Sequence, residues 1–232
     1  VRVEYYEYYI YQHNEVLKDG IEEPLFLFGT TETGKDIFAC LAYGARFSFI
    51  LAVVVSTVNL FVGAVYGAIE GYYGGKIDIV MERFVELLSS IPFMIVITLL
   101  KYHLDVSHMV VLFISFFLTG WTGMAGRTRM QFYRFKNQEY VMAARTLGAR
   151  DRRIIWKHIF PNSLGTIITS SALAIPSTML SESMLSFLGI VNLGGAEGTS
   201  LGTLLSDAQD TWINHPHLML YPAIVISLLM IS

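Results

Sequence analysis

An all-α membrane protein is the fold class this sequence predicts, and three observations carry the prediction. Hydrophobic residues make up 53% of the 232 and charged residues only 15%, whereas soluble domains carry about 25% charged residues. Charge-free apolar runs recur along the chain, and most of the Lys and Arg are gathered into one segment between two of them. The mean hydropathy of +0.51 agrees with this.

The runs give the elements in order. Residues 47–69 are 23 positions without a charged side chain, enough for a helix to cross a bilayer core of about 30 Å at about 1.5 Å per residue. Residues 87–100 reach span length when 84–86 are included. Residues 109–125 form a third run, and 159–181 a fourth that continues past Glu182 towards 190. Residues 218–232 form a fifth of 15 residues. Five membrane helices are expected, the last running on beyond residue 232.

Charge orients them. Residues 1–36 hold eight acids and three bases, while residues 127–157 hold nine of the sixteen Lys and Arg, and no Lys or Arg follows Lys157. Loops rich in Lys and Arg stay in the cytoplasm, so 127–158 and, counting outward, 70–78 are assigned inside. Residues 1–38 and 191–217 are then outside, as is the 102–108 turn. The chain divides into an extracytoplasmic segment, 1–38, and a transmembrane domain, 39–232. An external first residue calls for an earlier helix or signal. Residues 1–11 are aromatic and acidic, with no basic flank, so a sixth, N-terminal helix upstream is expected. No nucleic-acid partner is expected.

The stretch "GTTETGKD", residues 29–36, has the glycine and lysine spacing of a phosphate-binding loop. Its eighth position is Asp36, where a Ser or Thr hydroxyl would hold magnesium. The topology also puts it across the membrane from cytoplasmic ATP. Gly29 and Gly34 are read as turn formers and Asp36 as a helix cap. No nucleotide, cofactor or metal is expected to bind this chain. Cys40, the one cysteine, reads as a small apolar residue near a helix start. His215 and His217, without a Cys or carboxylate beside them, make a poor metal site. No catalytic constellation is visible, so no enzyme activity is expected.

The segment "EYVMAARTLGARDRRIIWKHIFPN", residues 139–162, is the most informative. Tyr140 to Leu147 are helix formers, Gly148 is a left-handed stop, and Asp151 is placed to cap a second short helix carrying Arg152, Arg153, Ile154, Ile155 and Trp156. Pro161 is expected in the first turn of the next membrane helix. About thirty residues is long for a helix–helix connection. A positive-inside loop explains the charge alone. An organised projection that docks a partner explains the caps and length as well, with Ala143 and Ala144 as a small-residue patch and Tyr140, Leu147 and Ile155 as apolar contacts.

This stretch resembles the cytoplasmic "EAA" loop of ABC importer permeases: Glu-Ala-Ala, three residues, Gly, nine residues, Ile, one residue, Leu-Pro. Ala143, Ala144, Gly148 and Pro161 fall on the pattern, while Met142 replaces the Glu, His158 the Ile and Phe160 the Leu. "FGTTETGKDIFACLAYGARFS" resembles the Gly-Thr-Asp…Gly-Arg-Asp…Tyr-Gly-Ala-Arg motif of one branch, the second permease subunit of oligopeptide, dipeptide and nickel importers. "DIVMERFVELLSSIPF" resembles its Asp…Arg…Asp…Pro helix, through Asp78, Arg83 and Pro92 with Glu86 for Asp. "SESMLSFLGI" matches Glu-Ala-Ser-Leu-Ser-Phe-Leu-Gly-Leu. The resemblance covers about residues 28–232.

The resemblance implies a type I ABC importer transmembrane domain in the bacterial cytoplasmic membrane. It would form half of a pathway, most simply for oligopeptides, with dipeptides or a nickel complex as alternatives. Its partners would be a second homologous permease, two cytoplasmic ATPases that bind ATP and Mg, and an external substrate-binding protein. Glu139, Tyr140, Ala143, Ala144, Leu147, Gly148, Arg152 and Pro161 would couple to an ATPase. A stand-alone channel or secondary transporter, its basic loop only setting topology, is the competing class.

Three further features carry two readings each. Gly63, Gly67 and Gly71, with Gly75 following, make a smooth strip, either for static helix packing, which is favoured, or for sliding at a permease dimer. Asp78, Glu82 and Glu86 beside Arg83 read as a charge cluster holding the second span against the coupling loop, or as a functional site. Thr166, Thr169, Ser170, Ser177, Thr178, Ser181 and Ser183 line a polar pathway or bond across packed helices, and Pro176 is expected to bend their span. Thr169, Ser177, Ser181 and Glu182 are the pathway candidates. Glu182 is placed either to meet a substrate amine at the outer mouth or to cap a short outer helix.

Overall fold

The computed structural model describes residues 8–18, 26–31, 34–193 and 199–231. Among them every element is helical apart from a single bridge between Thr30 and Asp36. The helices are α1 (Ile37–Tyr73), α2 (Gly75–Ser89), α3 (Phe93–His103), α4 (His108–Phe135), α5 (Glu139–Thr146), α6 (Asp151–Phe187), α7 (Leu201–Asp207) and α8 (His217–Ile231), preceded by a π-helical segment, Gln12–Leu17. Residues 194–198, within the outer stretch expected from the sequence, lie outside the described residues, as do residues 1–7.

All five apolar runs are helical, and α1, α4 and α6 are long and apolar enough to cross a membrane. The second run is not one straight helix. Pro92 excludes the residue before it from helical geometry, and α2 and α3 meet there at 71°. The fifth run forms α8, a 15-residue apolar helix. Helix α4 continues ten residues beyond the run that ends at Ala125, so Arg127, Arg129 and Arg134 stand on a helix and the connecting loop starts at Lys136 rather than at 127.

The chain divides into two compact units, Val1–Ser48 with Ser183–Ser232, and Phe49–Glu182. In the first, Asp36 caps α1, its carboxylate accepting from the Phe38 and Ala39 N–H groups at 3.1 and 3.3 Å. Ile37, Cys40 and Leu41 pack on Leu201 and Leu204, with Leu218 and Tyr221 of α8 around them. A reciprocal capping box between Ser200 and Thr203 starts α7.

In the second unit α1 packs against α4 along the glycine strip. A Cβ on Gly63 would lie 2.6 Å from the Trp121 carbonyl oxygen, one on Gly67 2.1 Å from that of Ala125, and one on Gly71 2.8 Å from that of Arg129. The strip therefore holds two helices of one chain together, which is the packing reading. Gly75 is not part of it: with Gly74 it takes positive φ and turns the chain from α1 into α2. Gly67→Ala is expected to cost about 1–3 kcal/mol by overpacking and to lower the unfolding temperature of the detergent-solubilised protein. Gly126→Ala, whose Cβ meets nothing within 4 Å, should leave that temperature unchanged or raise it. Equal effects of the two would count against backbone contact as the cause.

Candidate functional site

Helix α5 and its turn form a projection built on a buried base. Glu139 in the first turn and Arg145 in the last suit the helix dipole. Val141 and Ala144, three residues apart, face inward. Val141 joins Ala68, Tyr72, Phe132, Ile154, Ile155 and Ile159 in one apolar cluster. The helix ends in a Schellman turn: Gly148 has φ +80°, its N–H donates to the Arg145 carbonyl, and the Ala149 N–H donates to that of Ala144, each at 3.0 Å.

Of the coupling residues expected from the sequence, Glu139, Tyr140, Ala143, Gly148 and Arg152 are exposed, and Leu147 is 87% exposed. Ala144 is buried, so the outward patch consists of Ala143 with Met142 and Leu147 rather than of paired alanines. Ile155 is also buried and belongs to the base, because the helix it sits on packs that face against Phe132 and Val141.

Asp151 does not cap a separate helix. Its Oδ1 accepts from the Tyr72 hydroxyl at 2.5 Å, and Arg145 Nη2 approaches that hydroxyl at 3.4 Å. Nor is there a break before Pro161. Residues Ile154–Ile159 are π-helical, with the Phe160 N–H donating to the Ile155 carbonyl. Pro161 lies in the first turn of the α-helical continuation, Phe160–Phe187. The wider π turn absorbs a proline that would otherwise leave a carbonyl unpaired inside a helix.

Behind the projection lies a charge cluster centred on Arg129. Its Nε and Nη2 donate to Asp78 at 2.6 and 3.1 Å. Glu70 and Glu82 stand 3.3 Å from the guanidinium, and the Tyr133 hydroxyl donates to Asp78 at 2.5 Å. Lys136 Nζ donates to the Gly71 carbonyl at 2.9 Å, and burial pushes this lysine below its ordinary pKa. The expected cluster of Asp78, Glu82 and Glu86 with Arg83 is thus regrouped. Arg83 and Glu86 form a separate exposed pair three residues apart, while Asp78 and Glu82 turn to Arg129. The cluster ties α2 and the end of α1 to α4, the helix that leads into the projection.

The pathway candidates separate. The Thr169, Ser177 and Ser181 hydroxyls donate to carbonyls of their own helix at 2.8–2.9 Å, so they do not bond across helices. Ser177 and Ser181 line a cleft of about 370 Å³ with Asn59, Thr119, Gly123 and Arg127. Thr169 is exposed away from it, and Glu182 is fully buried. Pro176 lies inside α6.

The loop resembling a phosphate site is a closed turn. The Gly34 N–H donates to the Thr31 carbonyl, and the Lys35 N–H to the Thr31 hydroxyl. With Gly29 and Gly34 at positive φ, the turn delivers Asp36 as the cap of α1. His215 and His217 stack edge to face, their ring centres 5.9 Å apart.

The model of the family described as "Binding-protein-dependent transport system inner membrane component" matches residues 60–232. The dipeptide transport system permease protein DppC of Bacillus subtilis is 38% identical over 205 residues, 88% of this chain and 63% of that protein. The oligopeptide transport system permease protein OppC of Haemophilus influenzae is 40% identical over 207 residues, 89% of this chain and 65% of that one. The chain thus spans a little under two thirds of the length of these relatives. Among solved structures, an inward-facing MetNI methionine ABC transporter matches with a TM-score of 0.67 at 15% identity, covering 87% of this chain and 93% of that one. An amino acid ABC transporter with histidines gives 0.64 at 12%, covering 84% and 89%. These likenesses bear on fold, and the fold is that of ABC importer membrane domains.

Proposed function

Since the chain belongs to the family of binding-protein-dependent transport system inner membrane components, we propose that it forms half of the membrane pathway of an ATP-driven peptide importer in a bacterial cytoplasmic membrane. Its partners are a second homologous permease, two cytoplasmic ATPases that bind and hydrolyse ATP with Mg, and an external binding protein. The relatives named for oligopeptides and dipeptides support peptides as the cargo.

The observation that carries the reading is the projection itself: Met142, Ala143 and Leu147 exposed on a short helix whose underside is anchored in a buried apolar cluster. A residue as apolar and exposed as Leu147 is suited to a partner's pocket. Because Val141 and Ile155 are locked below it, force on α5 passes to α4 and α6 as rigid-body motion rather than dissipating in a loose loop.

Co-purification of the chain with two ATPase subunits and a non-identical permease is the first test. The second is Leu147→Arg, which alters nothing in the buried base. It should cut ATP-dependent peptide uptake by at least about tenfold, the loss of one interface anchor, at native abundance in the membrane. Uptake that proceeds without nucleotide, from a homo-oligomer, would replace this reading with the channel or secondary-transporter one.

A further inference from the structure

The cleft of about 370 Å³ holds polar groups that packing does not use. Ser56 and Asn59 line it from α1 at 4% and 9% exposure, and neither Ser56 Oγ nor Asn59 Oδ1 has a hydrogen-bond partner among the described residues. Buried polar atoms without partners are costly, and such sites call for a ligand or other partner. Asn59 is also held in place. Its Nδ2 donates to the Phe116 carbonyl at 3.4 Å, and Gly120 leaves room for the amide, since a Cβ there would lie 2.3 Å from that nitrogen. The amide oxygen is the acceptor left over.

The cleft is polarised along its length. At the Asn59 end, the hydroxyl protons of Ser177, Thr178 and Ser181 are engaged by carbonyls of their own helix, so these groups present acceptor lone pairs. At the other end Arg127 gives one N–H to the Ser170 carbonyl at 3.2 Å. Its other donors remain open, and among the described residues no carboxylate lies within ion-pair distance of it. Arg127 is exposed at this end, two residues beyond the apolar run, so its open donors are available to an anionic group of a solute entering the cleft. Gly120 and Arg127 are seven residues apart on α4, about 10 Å along the axis, the length of about three residues of extended peptide.

We propose that this cleft binds a short peptide bearing a free terminal carboxylate. Arg127 takes the carboxylate through its planar fork, and Asn59 Oδ1 and the serine oxygens accept N–H groups nearer the amino end. The proposal rests on the peptide-importer reading above.

The test uses the whole transporter in proteoliposomes, with uptake of a tripeptide and of its C-terminal amide compared for the native complex and Arg127→Gln. Native transporter should favour the free acid. R127Q should lose that preference by about tenfold, the worth of one charge-assisted hydrogen bond, and Arg127→Lys should restore part of it. The binding protein is common to every arm, so a change in the ratio belongs to the membrane cleft. An unchanged ratio in R127Q overturns the proposal. No peptide uptake by the native complex overturns the importer reading instead. Should R127Q fail to assemble, a Ser181→Cys chain in a Cys40→Ser background gives a second readout. The tripeptide, and not its amide, should protect that thiol from a methanethiosulfonate reagent, and equal labelling with and without tripeptide would refute the site.

Discussion

Replacing Arg129 by methionine is expected to prevent the chain from accumulating in the membrane as a folded subunit. The guanidinium is surrounded by three carboxylates: Asp78, bonded through two nitrogens, and Glu70 and Glu82, each 3.3 Å away. The Glu70 side chain is 1% exposed and sits between Arg129 and Glu82. Methionine fills much of the same volume but leaves these acids facing one another, with only the Tyr133 hydroxyl directed at Asp78. Removing one member of a fully buried ionic group costs about 3–5 kcal/mol; with Arg129 24% and Glu82 32% exposed the cost here is about 2–3 kcal/mol, still a large part of the 5–15 kcal/mol that holds a typical domain together.

The result would be read as membrane abundance and as the unfolding temperature after solubilisation. Arg129→Lys should recover little, because an ammonium cannot bond both Asp78 oxygens in one plane. Glu70→Gln in the Arg129→Met background should recover part of the loss by removing one acid from the crowded cluster. Native abundance and stability for Arg129→Met alone would show that the cluster is not what joins α2 to α4.

Asp78 and Glu82 were legible as members of a charge cluster, whereas Glu70 and Arg129 were not. Glu70 stands at the edge of a charge-free run and Arg129 in a segment rich in bases, so each has a sufficient local explanation. Their meeting depends on two facts that spacing does not reveal. Helix α4 runs on through Phe135, and the glycine strip of α1 lets α4 approach close enough to bring Arg129 over Glu70. The strip itself was legible, because small residues four apart have one plain meaning in a helix. So was the Asp36 cap, a contact made within three residues.

Asp151 shows the opposite case. It occupies a position where local rules favour a cap, yet a tyrosine 79 residues earlier takes its carboxylate. The cleft was half legible. Ser177 and Ser181 stand out as hydroxyls on an apolar helix, whereas Asn59 is a lone amide in the first span and acquires its meaning only from Gly120 across the interface.

Gly148→Val is expected to cut peptide uptake by at least about tenfold while leaving a folded, membrane-inserted subunit. Space is not the obstacle, since a Cβ on Gly148 meets nothing within 4 Å. The obstacle is φ +80°, a conformation that costs an L-residue about 1–2 kcal/mol and that a β-branched side chain adopts only as an outlier. That cost is too small to unfold the chain, whose buried cluster beneath α5 is untouched. It is large enough to open the local turn, because the two 3.0 Å bonds that close it, from Gly148 to Arg145 and from Ala149 to Ala144, depend on that φ. Opening the turn moves Leu147, the most exposed apolar residue of the projection, away from any fixed partner pocket. A graded series separates this cause from side-chain bulk. Asn, which tolerates the left-handed region, should transport closest to native, Ala should be intermediate, and Val should fall by at least about tenfold, the equivalent of roughly 1.4 kcal/mol. Peptide-stimulated ATP hydrolysis by the assembled complex should follow the same order. If Asn and Val, which are similar in size, were equally impaired, bulk at the partner surface and not backbone geometry would be the link between the ATPases and the membrane helices.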